Sequence, residues 1–267
     1  MPEHSVYQTR YLLRQQRRRQ FIHLSRLFLA VAFFILWETA ADLGWIDSFF
    51  FSSPSRIGRL FIKMISDGTL ALHVGTTLFE TLVSFFLTVL LGVGIAVLLW
   101  VSSTMAEILE PCLVILNSLP KSALAPLLIV WLGANMRTIV VAGISVAIFG
   151  TILNLYTGFK ETDPEKLKLI YTLHGTRKDA LFRVVLPSTV PLMISILKVN
   201  IGLCLVGVII GEFIGARQGL GYLIIYSSQV FKLDAVLLAI LILCVVAALL
   251  YWGISSLEKV CGQKRDQ

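Results

Sequence analysis

The stretch TLHGTRKDALFRVVLP, residues 172–187, sets four charged side chains, Arg177, Lys178, Asp179 and Arg183, and a helix-breaking Gly175 into a chain that is 57% hydrophobic and only 15% charged. Helix signals lead into it. In TDPEKLKLIYTLHG, residues 162–175, Asp163 stands where a helix N-cap belongs, Pro164 suits the first helical position, Glu165 complements the first turn, and Gly175 falls just past the end. The pattern predicts a helix over 164–174, with Leu167, Ile170, Tyr171 and His174 on one face and Lys166 and Lys168 elsewhere. Thr176 then caps a second helix, with Asp179 as a short-armed capping-box partner, and Leu186-Pro187 leads into the next apolar run. Two short capped helices make either a knob that plugs into a groove on a partner or an interfacial hairpin resting on lipid, and composition does not separate the two.

Around this loop the chain is too apolar for a soluble domain, which needs polar residues to cover its surface: mean hydropathy is +0.83 over 267 residues. A helix needs about 20 apolar residues to cross about 30 Å of hydrocarbon. Six segments qualify, at about 24–44, 78–101, 108–133, 138–159, 188–211 and 235–257, giving an all-α polytopic membrane domain over 24–267 behind a basic tail, 1–23. Residues 81–101, 138–159 and 235–257 carry no charge. The third and fifth spans each hold one lysine, Lys121 and Lys198, and the first meets Glu38 and Asp42. That first segment also resembles a cleaved leader, because Thr39, Ala40 and Ala41 follow its apolar run, but it is read here as a span.

Lysine and arginine set the orientation. The tail holds Arg10, Arg14, Arg17, Arg18, Arg19 and Arg26, the loop 160–187 holds Lys160, Lys166, Lys168, Arg177, Lys178 and Arg183, and Lys259, Lys264 and Arg265 follow the last span. Six spans put all of these on one side, and only Arg56, Arg59, Lys63, Arg137, Arg217 and Lys232 on the other. Both termini and the loop are therefore expected in the cytoplasm. This bias accounts for the net charge of +7, so the RQQRRRQ tail is not read as a nucleic-acid site. Cys112, Cys204, Cys244 and Cys261 show no CxxC spacing and are expected as free thiols, with no metal site and no cofactor.

Between the first two spans, Ile57, Leu60, Phe61, Met64 and Ile65 recur at helical spacing opposite Arg56, Arg59 and Lys63, which predicts a short helix lying on membrane lipid at the outer surface. The third span, LNSLPKSALAPLLIVWLG, is interrupted by Pro120 and Pro126, with Asn117, Lys121 and Ser122 beside the break. Proline in a membrane helix frees carbonyls that only protein or water can satisfy, and an intramembrane lysine faces a cavity or a partner more readily than lipid. Snorkelling of Lys121 to the headgroups is the alternative. In the fifth span Gly207, Gly211 and Gly215 form a bare stripe suited to close helix packing, and Glu212 beside it is a candidate for the outer mouth of a pathway. Lysines along a path suit an anionic solute, although Lys198 has an alternative partner in Glu38 or Asp42.

The loop resembles the cytoplasmic signature of ABC importer permeases: Glu-Ala-Ala, three residues, Gly, nine residues, a branched apolar residue, any residue, then Leu-Pro. Val184, Leu186 and Pro187 match its end, and Thr172-Leu173 match residues frequent in that family. Lys168, Leu169 and Ile170 occupy the Glu-Ala-Ala places, His174 stands at the glycine, and Gly175 comes one position late. SPSRI, LNSLPKSALAPLLIVWLG and GEFIGARQGLGYLI resemble, in order, segments of the branch that serves nitrate, sulfonates, taurine and vitamin precursors. The resemblance implies the six-helix fold of type I (MetI-like) importer permeases in a bacterial inner membrane. It further implies a homodimer with two cytoplasmic ATP-binding subunits and an extracytoplasmic substrate-binding protein. Leu167, Lys168, Leu169, Ile170, Tyr171, His174, Gly175, Arg177 and Asp179 would couple to the ATPase, while Asn117, Pro120, Lys121, Ser122, Lys198 and Glu212 would border the pathway.

The chain has no GxxxxGK[ST] loop, so ATP hydrolysis is expected in a partner chain and no catalytic residue is assigned. A stand-alone ion-coupled carrier is the rival reading. It wants buried carboxylates or histidines as a relay, and the central spans offer almost none in sequence. An intramembrane enzyme is disfavoured because His4, His23, His73 and His174 are scattered, with no HExxH or GxSxG.

Overall fold

The structure, a computed structural model, describes residues 6–263. His4, Lys264 and Arg265 lie outside the described residues, as do the side chains of Arg10, Arg14, Arg17, Arg18, Arg19, His23, Lys259 and Cys261. The chain divides into two compact units, Met1–Lys63 and Met64–Gln267.

In the first unit a long helix, α1 (Val6–Asp42), is followed by a single turn, α2 (Ser48–Phe51), and by α3 (Pro54–Ser66), within which the unit ends. Trp37 Nε1 donates to the Phe51 carbonyl at 3.2 Å, and Glu38 Oε2 accepts from the Ser55 amide at 2.9 Å. Glu38 is thereby engaged at the N-terminus of α3, where a carboxylate is favoured by the exposed amides and the helix dipole.

The second unit contains α4 (Thr69–Val101), α5 (Ser103–Ser118), α6 (Lys121–Leu132), α7 (Met136–Lys160), α8 (Pro164–Thr172), α9 (Arg177–Ala180), a π-turn (Leu181–Val185), α10 (Leu186–Gly215), α11 (Leu220–Gln229) and α12 (Leu233–Gln263). Among the described residues, five helical stretches are long and apolar enough to cross a membrane: Leu24–Asp42, Thr69–Val101, Met136–Lys160, Arg177–Gly215 and Leu233–Ser256. The pair α5 and α6 is apolar and long enough only when taken together, is bent by 98° at its break, and makes the sixth when counted as one broken span. Pro120, in extended conformation between them, explains the bend, because it can neither donate the next helical hydrogen bond nor tolerate the preceding carbonyl.

Helix starts follow local capping chemistry. Asp67 Oδ1 accepts from the Thr69 amide at 3.0 Å, Ser102 caps α5 through the Met105 amide, and Asn135 Oδ1 accepts from the Arg137 and Thr138 amides. α7 is the hub and packs most extensively on α10 and α4. Glycine makes this possible: a methyl added to Gly207 would sit 2.8 Å from the Ala142 carbonyl and from the Gly143 Cα. The stripe therefore serves helix packing, with Gly211 against Ile139 and Gly215 against Ile129 and Ala134. Below this crossing the apolar core gathers Leu99, Trp100, Ile152, Leu155, Phe159, Leu181 and Val185.

A second set of contacts is polar. Thr77, Thr81, Ser84 and Thr88 form a buried stripe on α4, and Ser84 Oγ donates to the Val140 carbonyl of α7 at 3.2 Å. Cys204 Sγ donates to Thr88 at 3.6 Å, and Asn200 Nδ2 to Thr151 Oγ1 at 2.7 Å. Between membrane helices, which lipid does not drive together, such bonds and close small-residue contacts supply the association. Cys112, Cys204 and Cys244 are free thiols, as expected.

Candidate coupling loop and solute pathway

Asp163 accepts from the Glu165 amide at 2.9 Å and Pro164 opens α8, in agreement with the sequence reading. The helix stops earlier than the expected residue 174. Leu173 is the C-cap, and the left-handed residue is His174 (φ 60°), not Gly175. His174 N–H reaches the Tyr171 carbonyl at 3.0 Å and Gly175 N–H the Ile170 carbonyl at 2.9 Å, the paired bonds of a Schellman ending. Gly175 is required for a different reason: a Cβ there would lie 2.5 Å from Ile170 Cγ2 and 2.9 Å from its carbonyl oxygen.

The capping box at the next helix is complete. Thr176 Oγ1 accepts from the Asp179 amide at 3.3 Å, and Asp179 Oδ2 accepts from the Thr176 amide at 2.8 Å. The Thr176 hydroxyl and amide donate to Asp179 and hold its exposed carboxyl below the ordinary aspartate range. Here the structure corrects the expectation of two separate short helices. α9 runs on through the π-turn into α10, so Arg177–Gly215 is one helical stretch of 39 residues, and Leu186-Pro187 is no break. The Leu186 amide bonds back to Leu181, five residues earlier; this wider turn eases the crowding that Pro187 would otherwise impose on the carbonyl of Arg183.

The face expected on α8 is divided. Leu167 and Ile170 turn inward onto the apolar core, whereas Leu169, Tyr171 and Leu173 are 59%, 47% and 71% exposed, and Phe182 on the π-turn is 66% exposed. Lys168 and His174 are exposed as well. Arg177 points back: its Nη2 donates to the Trp100 carbonyl at 3.0 Å and its guanidinium lies 5.5 Å from the Trp100 ring centre, tying the loop to the end of α4. Leu173 and Phe182, which the sequence reading did not assign to the coupling face, add two exposed apolar side chains to this side of the loop.

The pathway candidates separate into three places. Asn117, Pro120, Lys121 and Ser122 cluster at the α5–α6 bend, where Lys121 Nζ donates to the Asn117 carbonyl across the break. Lys198 is half-buried midway along α10. Glu212 lies 14 residues further on, about 21 Å away along the helix, so the two do not form one site.

Glu212 is fully buried. Its Oε1 accepts from Thr77 Oγ1 at 2.7 Å and its Oε2 from the Gly221 amide at 2.5 Å, while Thr77 Oγ1 accepts from the Leu220 amide at 2.8 Å. His73 Nδ1 accepts from the Gly219 amide at 3.1 Å. These bonds clamp the glycine-rich turn between α10 and α11 onto α4. Glu80, buried one turn along α4, lies against Glu212. The sequence reading of almost no buried acids in the central spans is thus corrected: His73, Thr77 and Glu80 recur at helical spacing, and that polar stripe was the available signal.

Two cavities lie at opposite ends of the α7–α10 pair. The larger, about 640 Å³, is bordered by Thr76, Glu80, Asn135, Met136, Arg217 and Gln218; Glu212 is not in its lining. The second, about 370 Å³, lies between residues 150–161 of α7 and 192–203 of α10. The close contact of Gly143 with Gly207 falls between them along the helices.

Comparison with known proteins matches residues 88–259 to the family described as the inner membrane component of binding-protein-dependent transport systems. The chain is 26% identical over 243 residues to the formylaminopyrimidine transport permease of Halalkalibacterium halodurans, covering 91% of this chain and 96% of that protein. It is 26% identical over 230 residues to the taurine transport system permease of Escherichia coli, covering 84% and 83%. Its fold matches a structure of the MetNI methionine ABC transporter with a TM-score of 0.64 at 16% identity, over 70% of this chain and 94% of that one.

Proposed function

The chain belongs to the family of inner membrane components of binding-protein-dependent transport systems and is the multi-pass permease subunit of an ATP-driven importer, and we propose that an ATPase subunit grips it by the outward face of the 160–187 loop. ATP is hydrolysed in separate subunits, and a substrate-binding protein belongs to the same machinery. The observation that carries the loop assignment is the row of exposed apolar side chains, Leu169, Tyr171, Leu173 and Phe182, on a loop that is otherwise charged. A solvent-facing apolar patch rimmed by polar residues marks a protein or membrane contact, and in a family that works with ATP-binding subunits we assign it to the protein. The loop then faces the cytoplasm, as do both termini, in keeping with the distribution of lysine and arginine.

In this reading, closure of two ATPases on ATP moves the loop, and the motion enters the membrane because α9 continues into α10 without a hinge. α10 carries α7 and α4 with it through the glycine contacts, so the three helices move as a body against a second copy of the chain. Alternate opening of the cavities at the two ends of α7 and α10 then gives alternating access, with the α5–α6 bend bordering the route and lipid covering the remaining apolar faces. The two relatives named above carry, by their names, a formylaminopyrimidine and taurine, a heterocycle and a sulfonate.

The test is mass spectrometry of what co-purifies with a tagged chain in mild detergent from its own host. A stoichiometric ATPase, lost on Tyr171→Asp with membrane levels unchanged, is expected. A solitary chain that transports in liposomes would replace this reading with an ion-coupled carrier.

A further inference from the structure

We propose that the 370 Å³ cavity between α7 and α10 is a solute-selecting site that admits an uncharged, hydrogen-bonding solute in preference to an anion. The inference rests on the permease reading and names the chemistry of the solute that the permease handles.

The wall chemistry carries the proposal. α7 contributes Asn154 and Thr157, both exposed, at one helical spacing; α10 contributes Ser195, exposed, and Asn200, which is 3% exposed. These are amides and hydroxyls, each able to donate and to accept. Asn200 is held in place by its bond to Thr151, whose own hydroxyl is committed to the Ala147 carbonyl at 2.7 Å. Gly150 and Gly158 keep the α7 wall low: a Cβ at 158 would strike Leu192, and one at 150 would stand 3.6 Å from Asn117 Oδ1. Asn117, at the α5–α6 bend, is thus a neighbour of Gly150 outside the lining. Polar side chains exposed on a membrane-spanning helix face a water-filled cavity or another protein surface, since lipid leaves them unsatisfied. The volume falls in the range of small-ligand sites, roughly 300–1,000 Å³.

The charges decide the class. Among the lining residues the one charged group is Glu161, an acid, placed beyond the C-terminal end of α7 where the helix dipole is also negative. Among the described residues, no lysine or arginine lines the cavity. Lys160 turns to the Tyr156 ring, 5.1 Å from its centre, and Lys121 to the Asn117 carbonyl. An anion entering here would lose its water shell without gaining a cation from the lining, whereas a neutral solute with donors and acceptors exchanges water for amide and hydroxyl partners.

The test is thiol reactivity of Ser195→Cys and Asn154→Cys, each placed in a variant lacking the native cysteines, in the whole importer in native membranes. The probes are two methanethiosulfonates, one uncharged and one bearing a sulfonate, with rates normalised to a free thiol in solution. At least a tenfold preference for the uncharged reagent is expected at both positions, narrowing severalfold with Glu161→Gln. Equal or faster reaction of the sulfonate reagent overturns the proposal, and so does failure of both reagents, which would mean the cavity is closed to solutes. Co-purification of the ATPase is scored on the same variants. A lost preference with the ATPase still bound refutes the site alone, whereas absence of any ATPase refutes the permease reading beneath it.

Discussion

Thr77 donates to Glu212 at 2.7 Å, a bond by which α4 helps to hold the end of α10. Thr77 also accepts from Leu220 and Glu212 from Gly221, so the two side chains together satisfy the backbone of the turn between α10 and α11. Thr77→Val keeps the shape and removes both roles. It should destabilise the purified protein by about 1–3 kcal/mol, the cost of leaving buried polar groups unsatisfied. Glu212→Gln, which retains an acceptor, should cost less than Glu212→Leu. Thermal unfolding in detergent reads this order, and equal midpoints for Thr77→Val and the parent would remove the clamp from the fold.

The two faces of α8 separate docking from folding. Leu169→Asp and Tyr171→Asp put charge on the exposed row and should release the ATPase while leaving the permease as stable as before. Ile170→Asp places the same charge against the apolar core, and should lower stability first, by several kcal/mol. Parallel pull-down and thermal unfolding tell the two apart. If Ile170→Asp were folded and selectively unable to bind, α8 would present the other face.

At the end of α8 two adjacent residues want opposite substitutions. His174 holds φ 60°, a conformation that costs a non-glycine residue on the order of 1 kcal/mol, so His174→Gly should strengthen the loop. Gly175→Ala should weaken it, because the new methyl meets Ile170. Limited proteolysis of the permease alone should show slower cleavage at 160–187 for the first and faster for the second. The same rate for both would mean that the turn is not limiting.

How much of this was legible in the residues depends on the range of the interaction. Asp163, Pro164, Thr176 and Asp179 announced their caps because capping acts within three residues, and Pro120 announced the bend for the same reason. Which side of α8 is buried was not legible: Leu167, Leu169, Ile170 and Tyr171 are all apolar, and the choice is made by an apolar core gathered from residues distant in the chain. Glu80 was passed over because its partner, Glu212, lies on another helix. The continuity of α9 with α10 was hidden by Pro187, which reads as a helix breaker unless a π-turn precedes it.

Lys121 crosses the α5–α6 break to the Asn117 carbonyl, an acceptor that the bend has freed. Lys121→Met keeps the stem and removes the donor. It should loosen the bend and change the rate of solute uptake with the ATPase still associated. Uptake unchanged at every solute concentration would leave Lys121 as a headgroup contact only.

The unbroken run from Arg177 to Gly215 makes the loop a lever, and a lever fails when it is made to bend. Replacing Phe182, Arg183 and Val184 with glycine keeps the chain length, the capping box and the inward Leu181 and Val185, but removes helix propensity of about 1 kcal/mol per residue at the joint. Phe182 is one of the exposed apolar contacts, so a Phe182→Ala variant serves as the control for lost docking. The triple-glycine variant should bind the ATPase no more weakly than that control and hydrolyse ATP, yet import far less solute per ATP. Coupled transport at the control's ratio would mean that motion reaches the spans by another route, for which Arg177 and its contact with Trp100 are the next place to cut.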